Sequence, residues 1–277
     1  MPDFPDLYAL VIRLRQERDD PPPDPAGHQV QALFLELVRQ VDPQLSNALH
    51  ADVPSKPYTA AALPGPRGQP GGHAGDRSVD LRVTLLRADL FAPFTRALLQ
   101  QTAFPALRLG RAALALTDVC GTPGSHTWAG YGSYADLVRG GEVLSDVTLE
   151  FATPTVFGQG TLSDGRKRLG LLPMPETVFG SIARRWNELA PPDLRVDEQQ
   201  VQAACADTLL SRYELATRMI SLGKGPQKGF VGHCTYEFPA DRDQQRLLTL
   251  LAGAAFYLGV GMKTARGMGL CRRLAER

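Results

Sequence analysis

The spacing of apolar residues switches between two periods along this chain, and the switches come in a similar order in both halves. Leu7–Arg15 sets Tyr8, Leu10, Ile12 and Leu14 against Ala9, Val11 and Arg13, the two-residue period of a strand. Pro21, Pro22, Pro23 and Pro25 then forbid regular structure. From His28 onward, Val30, Leu33, Phe34, Leu37, Val38 and Val41 recur at three- and four-residue steps, the stripe of an amphipathic helix. Asp42-Pro43 offers an N-cap followed by a first-turn proline, so a short second helix should run to about His50. Leu63–Gly75 is rich in Pro and Gly and reads as a loop; Val79–Leu86 reads as a strand, Leu90–Leu99 as a helix, and Phe104–Val119 contains strand-like stretches.

Gly121–Gly141 is dense in Gly and Ser and marks the expected boundary between domains 1–140 and 141–277. Beyond it, Val143–Phe151 reads as a strand and Pro175–Leu189 as a helix. Leu209–Leu222 and Phe230–Phe238 form a hairpin turning at Gly223-Lys224-Gly225-Pro226. Arg246–Tyr257 is an apolar-faced helix and Leu270–Leu274 a closing strand. The expected fold class is therefore α+β, with two tandem ferredoxin-like domains. Many α+β folds share this order, and no sequence-level repeat proves a duplication.

A chain of 277 residues has room for two such domains. No apolar run approaches the roughly 20 residues that span a bilayer, and Met1–Pro5 does not open a secretory signal. A cytoplasmic protein with no membrane partner is expected. Cys120, Cys205, Cys234 and Cys271 form no C-x-x-C pair and show no zinc-ligand spacing, so they read as isolated buried thiols, with no metal site. The net charge is +1; any polyanion site must come from local clusters of Lys and Arg.

One such cluster is Gly259-Val260-Gly261-Met262-Lys263-Thr264-Ala265-Arg266-Gly267-Met268-Gly269, between a helix and a strand. A Walker loop and a dinucleotide fingerprint both run from strand into helix, so neither fits, and no cofactor is expected. Two readings remain. The glycines let a phosphate backbone approach and leave peptide N–H groups to donate to it, with Lys263, Arg266 and the Thr264 hydroxyl adding contacts. Alternatively, the segment is simply a tight helix-to-strand connection.

Phe256–Arg272 resembles the glycine-rich loop of the CRISPR RNA-processing endoribonucleases of the RAMP superfamily. Leu149–Thr155 is similar to the strand that opens the family's C-terminal domain, Pro173–Trp186 to the helix after it, and Lys228–Gly232 to its hairpin strand. Asp42-Pro43-Gln44-Leu45 followed by Leu49-His50 matches in the N-terminal half. The resemblance covers most of the chain. It implies metal-independent cleavage of CRISPR precursor RNA within its repeats, the RNA's own 2′-hydroxyl attacking the adjacent phosphate. Repeat RNA is the implied partner, other CRISPR effector subunits and a homodimer being compatible with it.

Such chemistry needs a base, an acid and a cation for the crowded phosphorane. His50 lies where the family places its catalytic histidine, His28 is a second candidate, and Lys56 resembles a lysine that some members use to stabilise charge. Some relatives carry a tyrosine in the middle of the long helix; Leu33-Phe34-Leu35 has no hydroxyl there, and Tyr58 reads as packing. Gly259, Gly261, Lys263, Thr264, Arg266, Gly267, Gly269, Lys224, Lys228 and Arg184 are the candidate RNA contacts, with Arg185, Arg272 and Arg273 beside them. Arg166, Lys167 and Arg168 read as an exposed turn. His73, His126 and His233 read as structural or solvated. The competing function is a non-catalytic RAMP subunit that holds guide RNA; His50 with Lys56 favours the nuclease.

Overall fold

The computed structural model describes residues 5–16, 26–51, 53–65, 78–99, 107–223 and 225–275. They divide into two compact units. The first is Met1–Ser133 with Ser221–Gly225 and Ala265–Gly267; the second is Tyr134–Ile220, Pro226–Thr264 and Met268–Arg277.

In the first unit, β1 (Leu7–Gln16) is followed by α1 (Gly27–Val41), α2 (Pro43–His50), β2 (Tyr58–Ala62), β3 (Ser78–Leu85), α3 (Phe91–Leu99), β4 (Leu107–Leu109), β5 (Ala112–Cys120) and β6 (Gly130–Gly132). The sheet runs β2-β3-β1-β5-β4, and β6 also pairs with β1. β1 and β3 are antiparallel, from Tyr8 opposite Leu85 to Arg15 opposite Ser78. That register puts Leu10, Ile12 and Leu14 on one face with Val79, Leu81, Val83 and Leu85, against Val30, Leu33, Phe34, Leu37 and Val38 of α1 and Phe94, Ala97 and Leu98 of α3. Burial of this apolar face holds the layer together. The Asp-Pro signal works as read: Asp42 Oδ1 accepts from Leu45 N at 2.9 Å, capping α2.

β2 is an element that hydrophobic spacing does not reveal. Tyr-Thr-Ala-Ala-Ala does not alternate and its three alanines disfavour a strand, yet Tyr58–Ala62 is buried throughout and pairs antiparallel with β3. Most of the proline- and glycine-rich stretch before β3 lies outside the described residues, as does His73.

The second unit contains α4 (Tyr134–Arg139), β7 (Asp146–Thr155), β8 (Phe157–Thr161), β9 (Lys167–Gly170), α5 (Pro175–Leu189), α6 (Glu198–Ala206), β10 (Leu209–Ser221), β11 (Pro226–Glu237), α7 (Arg242–Leu258) and β12 (Cys271–Arg273). Its main sheet runs β10-β11-β7-β12, and β8 and β9 form a separate hairpin. Leu149 and Phe151 from the sheet, Val178, Phe179, Ile182 and Trp186 from α5, and Leu248, Leu251, Ala252 and Ala255 from α7 are all buried. In each unit the second and third strands of the main sheet lie on one side of its first strand and a later strand on the other: β2-β3-β1-β5 and β10-β11-β7-β12. This is the ferredoxin-like order, present twice.

Two expectations are corrected here. Lys167 and Arg168 are not in a turn but begin β9, while Arg166 stays in the turn, bound to Asp164 at 2.6 Å. Cys120 is only partly covered, whereas Cys205, Cys234 and Cys271 are buried. Burial pushes the Cys205 and Cys234 thiols up to about 12.

Candidate active site and nucleic-acid interface

The first unit gathers polar groups at the start of α1. The helix begins at Gly27, where a Cβ would overlap the Arg266 carbonyl oxygen that rests against it. Next in the chain, His28 lays its imidazole over Gly223, whose φ is 86° and whose added Cβ would lie 3.3 Å from the ring. The ring's Nδ1 is enclosed and has no hydrogen-bond partner among the described residues. One turn on, Gln31 is buried but satisfied at both ends. Its Oε1 accepts from Arg266 Nε at 2.7 Å, and its Nε2 donates to Tyr58 Oη at 2.9 Å. Tyr58 is fully buried with its ring 4.3 Å from Phe34, and burial raises its pKa, so it keeps its proton. Packing is its role; Gln31 is the residue that sequence reasoning passed over.

His50 and Lys56 belong to the same unit but are differently placed. Ser46 Oγ donates to Leu35 O at 2.9 Å, which ties α2 to α1. His50 is exposed at the last position of α2. Lys56 Nζ donates to the carbonyls of Leu49 (3.0 Å), His50 (3.1 Å) and Ala51. Those are the unsatisfied acceptors at a helix C-terminus, and a cation there also favours the dipole. Lys56 thus caps the helix that presents His50.

In the second unit, Gly259, Gly261 and Gly269 have φ of 70°, 76° and 69°, and Lys263 has φ of 60°. A Cβ on Gly269 would overlap Val260 O, and one on Gly261 would lie 2.6 Å from Val156 O. Several peptide donors that the sequence offers to phosphate are spent on the protein itself. Val260 N donates to Gly269 O at 2.8 Å, Met262 N to Val156 O at 3.0 Å, Gly269 N to Pro154 O at 3.1 Å, and Gly261 N to Ser181 Oγ at 3.2 Å. In the first unit Gly267 N donates to Ala60 O at 2.8 Å. Thr264 is buried, so its hydroxyl is not on the surface as expected.

The exposed groups of the second unit's loop region are cations. Lys263 is exposed and reaches Gln227 Oε1 at 3.1 Å, beside exposed Lys228. Arg184, also exposed, lies one turn beyond Ser181 on α5. Lys224 lies outside the described residues. Other cations are neutralised: Arg272 pairs with Glu150 at 2.6 Å and Arg273 with Glu142 at 2.5 Å. Desolvation lowers Arg185 to about 10. Of the remaining histidines, His126 Nδ1 accepts from Trp128 N at 3.0 Å, a structural bond, and His233 is an exposed residue of β11.

Comparisons with known proteins identify the family. Residues 149–271 match the family model of the CRISPR-associated endoribonuclease Cas6, and residues 6–70 that of the CRISPR Cas6 N-terminal domain. No curated protein sequence matches. Among solved structures, the chain is similar to Cas6 (TTHB231) in a product complex, with 32% identity over 98% of this chain and 100% of that one and a TM-score of 0.83. A second structure of that Thermus thermophilus Cas6 gives 30% identity over 98% of this chain and 100% of that one, with a TM-score of 0.75. Cas6 (TTHA0078) in a product complex gives 28% identity over 97% of this chain and 99% of that one, with a TM-score of 0.76. The likeness extends over both units, and the chain belongs to the Cas6 family of CRISPR-associated endoribonucleases.

Proposed function

We propose that this chain cleaves CRISPR precursor RNA within its repeats, without a metal ion, using a histidine at the start of α1 or the end of α2. The RNA 2′-hydroxyl loses its proton to an imidazole and attacks the adjacent phosphorus. The P–O5′ bond breaks, the 5′-oxygen takes a proton from an acid, and a 2′,3′-cyclic phosphate remains. The observation that carries the reading is that His28 and Gln31, which holds the Arg266 guanidinium, lie one turn apart at the start of α1. His28 has an enclosed, unpartnered Nδ1, and Gln31, one turn along, holds Arg266 Nε at 2.7 Å. A guanidinium fixed there would stabilise the charge of the phosphorane. This geometry favours His28 as the better-supported imidazole, with His50 as its companion and Lys56 acting through the α2 terminus.

A relative's history supports a histidine: Cas6 (TTHA0078) has been solved as a histidine-to-alanine variant and with a substrate mimic. Gripping repeat RNA falls to Lys263, Lys228, Arg184 and Lys224, with the glycines shaping the loop. Cytoplasmic guide-RNA maturation, with delivery to other effector subunits, fits that role. Purified protein should cut its cognate repeat RNA in EDTA, and a 2′-deoxy nucleotide at the scissile position should block cutting. His28→Ala should lower the single-turnover rate by about 10²- to 10⁴-fold with binding retained. A requirement for added metal would overturn the mechanism; full activity of His28→Ala with loss in His50→Ala would move the chemistry to α2.

A further inference from the structure

His28 has a neighbour with an unspent polar atom of its own. Gln29 is half-buried at the third position of α1, and its Oε1 is enclosed with no hydrogen-bond partner among the described residues. Enclosing an amide oxygen without a donor costs stability, so such an atom in a folded protein calls for a reason. The amide lies on the turn between β4 and β5. Gly110 of that turn has a φ of 63°, and a Cβ on it would lie 3.0 Å from Gln29 Nε2 and 3.1 Å from Oε1. A missing side chain is therefore what seats the amide. Leu109 pairs with Ala112, which leaves Arg111 as the other residue of the turn. Arg111 is exposed and has no ion pair among the described residues. Successive residues of an α-helix are set about 100° apart around its axis, so Gln29 and Gln31 fall on either side of His28. On the Gln31 side is the Arg266 guanidinium. On the Gln29 side are an amide with an unspent acceptor and the turn that carries Arg111.

We propose that Gln29 reads the base of the nucleotide next to the scissile phosphate, that this base is an unpaired adenine, and that Arg111 binds a phosphate of the same strand. The inference rests on His28 being the imidazole of the cut, since that is what sets Gln29 beside the scissile phosphate. A primary amide offers a donor and an acceptor side by side. Adenine answers both at once, its N6 amine donating to Oε1 and its N7 accepting from Nε2. RNA bases are read in this way where they are unpaired, because an A-form stem exposes chiefly phosphates and 2′-hydroxyls. The Gln29 amide makes no hydrogen bond among the described residues that must break when the side chain turns outward to a base. The Arg111 guanidinium can fork onto phosphate oxygens. All of these residues belong to the first unit, and none is among the lysines that grip RNA from the second.

The test is equilibrium binding of the full chain to its repeat RNA, made uncleavable by a 2′-deoxy nucleotide at the cut. The nucleotide on either side of the scissile phosphate carries in turn adenine, guanine, cytosine, uracil or purine, the last being adenine without its N6 amine. At one of the two positions the wild type should bind adenine about tenfold more tightly than the other bases. Gln29→Leu, similar in size but without the amide, should bind all of them alike. Arg111→Ala should keep the adenine preference and reduce the slope of log affinity against log salt by about 0.7. A wild type that binds every base alike at both positions, prefers another base, or does not miss the N6 amine would overturn the proposal. So would a preference that survives Gln29→Leu, or a slope unmoved by Arg111→Ala. Because the readout is affinity, its failure is distinguishable from failure of the His28 assignment, which the single-turnover rate of His28→Ala decides.

Discussion

α1 is the helix that follows β1 in one ferredoxin-like unit, α5 is the first helix after β7 in the other, and each is 15 residues long. At the second and fifth positions, α1 carries His28 and Gln31, whereas α5 carries Glu176 and Phe179. Phe179 does what a fifth position on a buried stripe ordinarily does, packing edge-on against Tyr236 at 5.3 Å. Gln31 occupies the corresponding place with an amide. Burying an amide costs stability unless both its ends are hydrogen-bonded, and here Tyr58 and Arg266 supply the two partners. The same scaffold therefore has a dry helix start in one unit and a polar one in the other, and the polar one carries the histidine. The glycine-rich loop shows the converse division. In the second unit's part, Val260, Gly261, Met262 and Gly269 spend their peptide donors within the unit, and only Ala265–Gly267 belongs to the first unit.

The largest effect expected from this contrast is on folding, through the loop. Gly269→Ala places a Cβ on Val260 O at a φ of 69°, where an L side chain is already strained. The loss should be about 3 kcal/mol, lowering the melting temperature by roughly 6–12 °C. Gly180 of α5 is the control: nothing lies within 4 Å of its added Cβ, so Gly180→Ala should be neutral or stabilise by up to about 1 kcal/mol. Equal melting temperatures for the two variants would show that the loop is not held by these contacts.

A smaller effect, about 1–3 kcal/mol, is expected from Gln31→Leu, which leaves the Tyr58 hydroxyl buried without its donor and frees Arg266. Cleavage should fall further than stability does, because the guanidinium loses its anchor. The comparison with α5 sharpens here. Phe179→Leu should cost stability and leave the cleavage rate of the folded fraction unchanged. If Gln31→Leu likewise affects only melting, the polar start of α1 is structural and its difference from α5 has no catalytic meaning.

How much of this was legible depended on whether one segment's own chemistry decided the outcome. α1, the Asp42 cap of α2 and the start of α5 at Pro175 all follow from local periodicity and capping, and the hairpin turn follows from Gly223 and Gly225. β2 did not, because three alanines become a strand only by pairing with β3. Nor did β8 and β9, whose glycines and charges hide a two-stranded hairpin. At the site, the histidines could be named, but not the support of His28 by Gly223, nor the holding of Arg266 by Gln31. Such contacts join residues as far apart as 31 and 266, and no spacing rule encodes them. One signal was available: Gln31 interrupts the stripe between Val30 and Leu33, one turn after a candidate catalytic residue.

The smallest effect belongs to the exposed cations of the second unit. Lys263 and Lys228 carry charge that can meet phosphate, whereas Arg272 and Arg273 are already paired with Glu150 and Glu142. Each phosphate neutralised releases counterions and contributes about 0.7–0.9 to the slope of log affinity against log salt. Lys263→Ala with Lys228→Ala should therefore weaken repeat-RNA binding by about tenfold and reduce that slope by roughly 1.4–1.8. The rate of the bound complex should stay within about twofold, since neither ammonium belongs to the unit that holds His28. Arg273→Ala should leave the slope unchanged, because its charge is held by a carboxylate. A slope that falls as much for Arg273→Ala as for the lysine pair would erase the distinction between these lysines and cations paired with carboxylates. A lysine pair that slows the bound complex instead would erase the division between gripping and cutting.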